Sequence, residues 1–344
     1  MTVEKNHCTC CGPDGDDAGV VGRRRFLKTA GSAAIAAAGL SSMDSVVRAA
    51  AGTEAEKKVA EDYVRVLYES LTEEQRSKIA FSYDNPRRLK VNNNWHIVPH
   101  KIEELSSDQQ ELCRLILKGI TTEDGFERFQ KSMKDDDGGL GSYSCALFGD
   151  PAKDEKYQWV LTGRHITLRA DGNTTANAAF GGPIFYGHAV SGEEKKDHPG
   201  NVWWHQGRIA NDLFEALDGE QRKKALLPQS PPDEPRTVAL RGAGEISGLV
   251  GTDMSKDQKE LLSKCLTSLL SMFRETDVKE IMTCLEKNGG IEKARIAYYN
   301  DGDIGEDGVW DRWRVEGPAF VWYFRGSPHV HTWVNVAHQA PTSV

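Results

Sequence analysis

The sequence predicts an α+β protein made of two halves, each with helices first and an antiparallel sheet after. Three observations carry this. Apolar residues recur at helical spacing early in each half and alternate at strand spacing later in it. Similar segments also occur twice, in the same order. Tyr68–Ile79 and Phe214–Ala225 share six of twelve residues, and Leu105–Leu112 and Met254–Leu261 share five of eight. Trp159-Val-Leu-Thr-Gly163 parallels Trp313-Arg-Val-Glu-Gly317, and the offsets of 146, 149 and 154 drift slowly, as loop insertions would make them. Finally, short loops rich in Gly, Asp and Asn, such as Asp171-Gly-Asn173, suit antiparallel neighbours. The expected organisation is an internal duplication, 57–203 and 204–344.

In the first half, Val59, Tyr63, Val66 and Leu67 form the apolar stripe of one helix, and Leu112, Leu115 and Ile116 that of another. Thr72–Gln75 and Ser106–Gln109 read as capping boxes, in which the hydroxyl accepts the third backbone N–H and the Gln reaches back. Strand alternation follows at Tyr143, Cys145 and Leu147, at Trp159 and Leu161, and at Ile166 and Leu168, and Trp95-His-Ile-Val-Pro99 reads as a further strand. In the second half, Ser255–Gln258 opens a helix bearing Leu262, Cys265, Leu266, Leu269 and Phe273. The next carries Val278, Ile281, Met282 and Leu285 and stops at Gly289-Gly290. Strands are expected at Ile296–Tyr299, Trp313–Val315, Ala319–Phe324 and His329–Val334. The Pro-rich stretch Pro228–Arg236 and the run Asp135-Asp136-Asp137 are expected to be solvated surface loops.

Ahead of these elements lies an address. Arg23 and Arg24, one further Arg, then Phe26, Leu27 and Lys28 form a twin-arginine export signal, followed by a weakly apolar Ala/Gly run to Leu40 and small residues at 49–51. Residues 1–50 are therefore expected to be a leader. The twin-arginine export machinery is the expected partner, and the periplasm or cell exterior the expected location. That route carries folded proteins and is often used where a metal is inserted first. The cluster His7-Cys8-Thr9-Cys10-Cys11 has metal-ligand chemistry but precedes the signal and would leave with it.

A net charge of −8 and the absence of a basic stripe argue against nucleic acid and anionic lipid as partners. No apolar run beyond the leader reaches the length of a membrane span. Of seven cysteines, only Cys113, Cys145, Cys265 and Cys284 follow the leader, and none forms a Cys-x-x-Cys pair, so zinc or redox motifs of that kind are excluded.

The chemistry points to histidine. His329 and His331 lie two apart on a strand and share a face with Trp333, so both imidazoles can converge on one divalent metal. His165, in Gly163-Arg164-His165-Ile166, is the expected third ligand and His188 a weaker fourth. The alternative is a non-catalytic protein that binds a carbohydrate, another small molecule or a protein on a sheet surface lined by Trp159, Trp203 and Trp333, with Arg164 beside it. No Gly-x-Ser-x-Gly elbow, His-Glu-x-x-His, phosphate loop or dinucleotide fingerprint is present.

Several blocks also resemble the uncharacterised family catalogued as domain of unknown function 3500. They are Phe81-Ser-Tyr-Asp-Asn-Pro-Arg87, Trp95-His-Ile-Val-Pro99, Leu147-Phe-Gly-Asp-Pro151, Gly163-Arg164-His165 within Trp159–Leu168, Gly182-Pro-Ile-Phe-Tyr-Gly187, Val315-Glu-Gly-Pro-Ala-Phe320 and His329-Val-His331. The family typically looks like Gly-His-His-Leu where this chain has Gly163-Arg164-His165-Ile166, and carries a Trp-Arg-Asp-Pro segment that is missing after Trp333. The resemblance carries over His165, His329 and His331 and implies no activity. The expectation is an exported soluble protein that binds a divalent metal or small ligand through these histidines, a role open to a hydrolase or an oxidase.

Overall fold

The computed structural model describes residues 59–342 apart from 154–155, 173, 190–199, 201, 243 and 310. The expected export signal, His7-Cys8-Thr9-Cys10-Cys11 and His198 lie outside the described residues. The chain is α+β. Its first half runs α1 (Ala60–Ser70), α2 (Glu73–Ile79), β1 (Ala80–Phe81), α3 (Ser107–Ile120), α4 (Glu123–Asp137), then β2 (Ser144–Gly149), β3 (Tyr157–Gly163), β4 (Ile166–Ala170) and β5 (Ile184–His188). The second runs α5 (Trp204–Glu215), α6 (Gly219–Ala225), β6 (Leu226–Leu227), β7 (Leu249–Val250), α7 (Lys256–Leu270), α8 (Glu275–Lys287) and α9 (Gly290–Lys293). It ends with β8 (Arg295–Tyr299), β9 (Arg312–Gly317), β10 (Phe320–Arg325) and β11 (Val330–Val336).

Instead of two sheets there is one, in the order β1-β2-β3-β4-β5-β11-β10-β9-β8-β6, with β7 added beside β8. Read from either edge, a two-residue strand pairs parallel with the first strand of a four-strand antiparallel run. The parallel edges follow from topology, because a helical crossover separates β1 from β2 and β6 from β8. The runs meet at the centre, where β5 and β11 pair antiparallel.

The helices form as their caps dictate. Thr72, Ser106, Asp218 and Ser255 each accept the N–H of a Gln three residues on, and that Gln reaches back to the cap N–H. Each cap contributes about 0.5–2 kcal/mol. The same glutamines also join helices. Gln75 and Gln109 exchange amide bonds at 2.9 and 3.0 Å, and Gln221 and Gln258 do so at 2.9 and 2.7 Å. The guanidinium of Arg76 lies over the Tyr68 ring and that of Arg222 over Phe214. The sequence similarity between Tyr68–Ile79 and Phe214–Ala225 therefore coincides with like contacts.

All helices of the main core pack on one sheet face. There Trp159, Leu161, Ile166 and Leu168 of the first half, and Trp313, Val315, Phe320 and Trp322 of the second, meet Val64, Leu67, Ile116, Leu266, Leu269 and Ile281. The other face carries a smaller cluster of Phe185, Val321, Tyr323 and Trp333 with Val91 and Val238, from two irregular segments that cross it. One of these contains Trp95–Pro99, expected as a strand. It is irregular, with its polar groups answered by the sheet: Ile97 N–H donates to Thr162 and the Trp95 indole to Thr167. All four cysteines among the described residues are buried free thiols. No described helix is long and apolar enough to cross a membrane.

Candidate metal centre

The site lies on the loop-covered face, next to the β5–β11 seam. His331 and Trp333 of β11 point to this face, and His329 immediately precedes the strand. His165 arrives from the two-residue turn between β3 and β4, where Gly163 pairs with Ile166. Its backbone stands at φ 58°, a left-handed conformation that is costly for a residue with a Cβ. Four hydrogen bonds hold the turn there. His165 N–H donates to Asn93 O at 2.8 Å, its carbonyl accepts from Gly187 N–H at 3.0 Å, and the Tyr143 hydroxyl donates to Arg164 O at 2.8 Å. The fourth comes from the ring: Nδ1 meets Asp136 Oδ2 at 2.9 Å.

Gly187 sits opposite His331 in the β5–β11 register, and a Cβ there would lie 2.4 Å from the Val330 carbonyl oxygen, so the neighbouring backbone bars a side chain first; it would also lie 3.2 Å from the His331 ring and 3.4 Å from that of His165. The three ring centroids lie 4.7 to 5.0 Å apart. One ligand nitrogen from each of His165, His329 and His331 falls within 4.8 Å of the others, close enough to bind a metal ion. The closest pair, His329 Nε2 and His331 Nε2, is 2.9 Å apart. Zinc-type bonds of about 2.0–2.1 Å at tetrahedral angles separate ligand nitrogens by about 3.3 Å, which lies between these two distances. His165 Nε2 is buried and has no hydrogen-bond partner, whereas Nδ1 is engaged.

Behind the imidazoles stand carboxylates, the arrangement that fixes ring orientation and raises ligand basicity in metal sites. Asp136 holds His165. Asp233 Oδ2 lies 2.5 Å from His331 Nδ1 and accepts from Arg325 at 2.7 Å, while its Oδ1 accepts from the Trp333 indole at 2.7 Å. Burial alone would raise the Asp136 carboxyl, but the rings of His165 and His188 and the Ala189 N–H bring it below its ordinary value. Asp233 is likewise opposed by burial and held well below the carboxylate range by His331, Arg325 and Trp333. Burial, then His165 and Arg325, lower His329 to about 2, and burial and Arg325 push His331 well below its usual value. Both rings are neutral at neutral pH, the form that offers a metal its lone pair.

Three of the sequence-derived ligands thus converge and the fourth does not. His188 lies opposite Val330 on the helix-facing side, because strand alternation turns it away from its neighbour Gly187, and its Nε2 is 3.3 Å from Asp135. The aromatic surface is also corrected. Trp159 is in the main core, Trp203 caps α5 with its indole on Gly187 O, and Trp333 is sealed under Asp233. With all three at most 1 % exposed, they offer no platform to a sugar or a protein. Arg164 is half-buried in the turn, paired through its backbone with Asn94.

Two residues escaped the sequence reading, for opposite reasons. Asp136 belongs to a run expected in solvent, yet it lies in the last turn of α4 with a fully buried side chain. The helical period was the available signal, since Phe129, Ser132, Met133 and Asp136 follow one face. Asp233 belongs to the Pro-rich stretch expected as a surface loop, but that stretch crosses the sheet, with Pro231 O accepting from Tyr323. No sequence signal marks it.

The family described as Protein of unknown function (DUF3500) matches residues 53–338. This chain belongs to that family. Comparison with curated proteins and with solved structures gives no match.

Proposed function

We propose that this chain is an exported metal protein in which His165, His329 and His331 hold one divalent transition metal and leave a coordination position open to a small ligand. The observation that carries the reading is the buried, unpartnered Nε2 of His165, aimed at two further imidazoles while its own Nδ1 is anchored on Asp136. A buried polar atom without a partner costs about 1–3 kcal/mol, and a bound ion supplies that partner. The ligand set selects the metal class. Imidazole suits zinc, copper, nickel or cobalt, whereas calcium and magnesium require oxygen donors. Three protein ligands with a fourth position open is the pattern of reactive metal sites, where the ion activates a bound water or polarises an oxygen, while structural sites have four.

Export belongs to the same proposal and rests on Arg23-Arg24 and Phe26-Leu27. So does the reading of 57–203 and 204–344 as copies of one unit, supported by the strand order and the matched Gln pairs. The test is elemental analysis of the full chain purified from a twin-arginine-competent host, with His331→Ala alongside. One equivalent of metal in the wild type and none in the variant is expected. A wild type that stays metal-free, and takes up no zinc or cobalt on titration, refutes the reading.

A further inference from the structure

We infer that Cys284 is a reactive thiol that small hydroperoxides oxidise to the sulfenic acid, with His338 as the proton donor beside it and Glu280 as the residue that positions the ring. These side chains lie at the far end of β11 from His329 and His331 and need no metal. Glu280 and Cys284 are four residues apart on α8 and so share a face of the helix. His338 comes two residues after β11 and joins them. Its Nε2 meets Glu280 Oε1 at 2.8 Å, and its ring hydrogen-bonds the Cys284 sulfur. A thiol linked to an imidazole that a third group orients is the arrangement of an activated nucleophile.

The ring is held in place through the backbone on both sides. The Asn288 amide donates to Cys284 O at 2.7 Å and to His338 O at 3.3 Å. The next residue, Gln339, donates its N–H to Asn177 at 2.8 Å and accepts from the Asn177 amide at 3.3 Å. Cys284 lies in the last turn of α8, where the helix dipole favours a neighbouring cation. The Cys284 sulfur and then the Glu280 carboxylate, against partial burial, raise His338 to about 10, so this ring is an imidazolium at neutral pH. The other cysteines among the described residues sit differently. The bond to Cys145 and burial push the Cys113 thiol up, and burial and the Asp212 charge do the same to Cys265. An imidazolium instead favours the thiolate, the form that attacks.

Access and charge specify the reagent. Cys284 is 3 % exposed, while the His338 side chain over it is 44 % exposed. The sulfur is one ring away from solvent, which admits a small molecule and bars a bulky one. The imidazolium suits a reaction whose leaving group needs a proton. The thiolate attacks the hydroxyl oxygen of the peroxide, an S–O bond forms and the O–O bond breaks. The departing hydroxide or alkoxide takes the His338 proton. Sulfur is oxidised to the sulfenic acid, and the peroxide is reduced to water or an alcohol.

The test treats the purified full chain with hydrogen peroxide at neutral pH, with free metal scavenged by a chelator. At intervals catalase stops the reaction, the protein is unfolded, the remaining thiols are alkylated with iodoacetamide, and each cysteine is read by peptide mass spectrometry. Cys284 should lose its thiol while Cys113, Cys145 and Cys265 keep theirs. His338→Gln should slow that loss about ten-fold or more, and His338→Lys, which restores a cation, should recover part of the rate. Glu280→Gln should slow it as well, and Glu280→Asp should recover part. Each variant alters a partly exposed side chain, and thermal melting before treatment checks that it is folded. A wild type in which Cys284 is oxidised no faster than the other three cysteines, or a folded His338→Gln that reacts at the wild-type rate, overturns the inference.

Discussion

The β3–β4 and β9–β10 hairpins follow one plan and end in different chemistry. Gly163 pairs with Ile166 across two turn residues, and Gly317 pairs with Phe320 across two. A Cβ on either glycine would enter an aromatic ring, that of Tyr143 or that of Phe320. The turn residues then diverge, Arg164-His165 against Pro318-Ala319. His165 is left-handed and tied to Asp136, while Ala319 is a buried methyl. The covering segments differ in the same way. Asp84-Asn-Pro-Arg87 and Asp233-Glu-Pro-Arg236 each enter a short 3-10 turn at the proline. Asp84 is exposed, whereas the Asp233 side chain is 14 % exposed and serves His331, Arg325 and Trp333. The frame lies where the halves agree, and the polar chemistry lies where they differ. One half supplies the histidine turn and the other supplies the His-x-His segment and its aspartate.

The comparison is open to direct attack. The largest expected effect is Asp233→Ala. Removing this carboxylate leaves the Arg325 charge and His331 Nδ1 buried without it, a loss of about 3–5 kcal/mol, whereas Asp84→Ala should stay within about 0.5 kcal/mol. Urea denaturation of the two metal-free variants measures both, and equal losses would end the asymmetry argument.

His165→Gly should lower zinc affinity at least about 100-fold, since losing a ligand exceeds the effect of losing its outer partner. In the metal-free fold glycine accepts φ 58° without strain, but loss of the ring takes the imidazole from the buried Asp136 carboxylate, so stability should fall by about 1–3 kcal/mol. Competitive chelator titration and thermal melting separate the two effects. If zinc affinity is unchanged while the melting temperature falls, His165 is a structural residue. Asp136→Asn keeps the shape and should reduce zinc affinity about 10–100-fold, which the same titration reads.

The smallest effect is in pH. His329 has a folded pKa of about 2 against an ordinary 6.5. A depressed pKa means that the unfolded chain binds the proton first, so this contribution to stability is complete above about pH 6.5 and is lost as pH falls toward the folded value. Stability of the metal-free protein should fall by at most about 1.4 kcal/mol per pH unit for each such histidine. His329→Gln should flatten that limb in melts between pH 7.5 and 5, and an unchanged slope would show that this ring is not held neutral.

The parts legible in the sequence were those carried by periodicity. Alternation placed His331 and Trp333 on one face, and the Ser/Thr-x-x-Gln boxes marked helix starts. What escaped depends on a second segment arriving from far away. Asp233 reads as part of a polar, Pro-rich loop because nothing local says that a sheet lies beneath it. The aspartates at 135–137 read as solvated because their composition outweighed their helical phase. The single sheet was also hidden, since the β5–β11 pairing joins strands about as distant in sequence as the halves themselves, and Ala80–Phe81 and Leu226–Leu227 are too short to carry a pattern.

The position of the last strand sets an order of events during synthesis. β11 is eleventh along the chain but sits in the middle of the sheet, between β5 and β10. Until the ribosome has released this strand, the first four-strand run has no partner at its inner edge, and two of the three clustered imidazoles do not yet exist in the folding chain. Contacts this remote in sequence are the slow ones to form. The imidazole cluster is thus a completion mark: a stalled or C-terminally truncated chain has neither a closed sheet nor the three rings together.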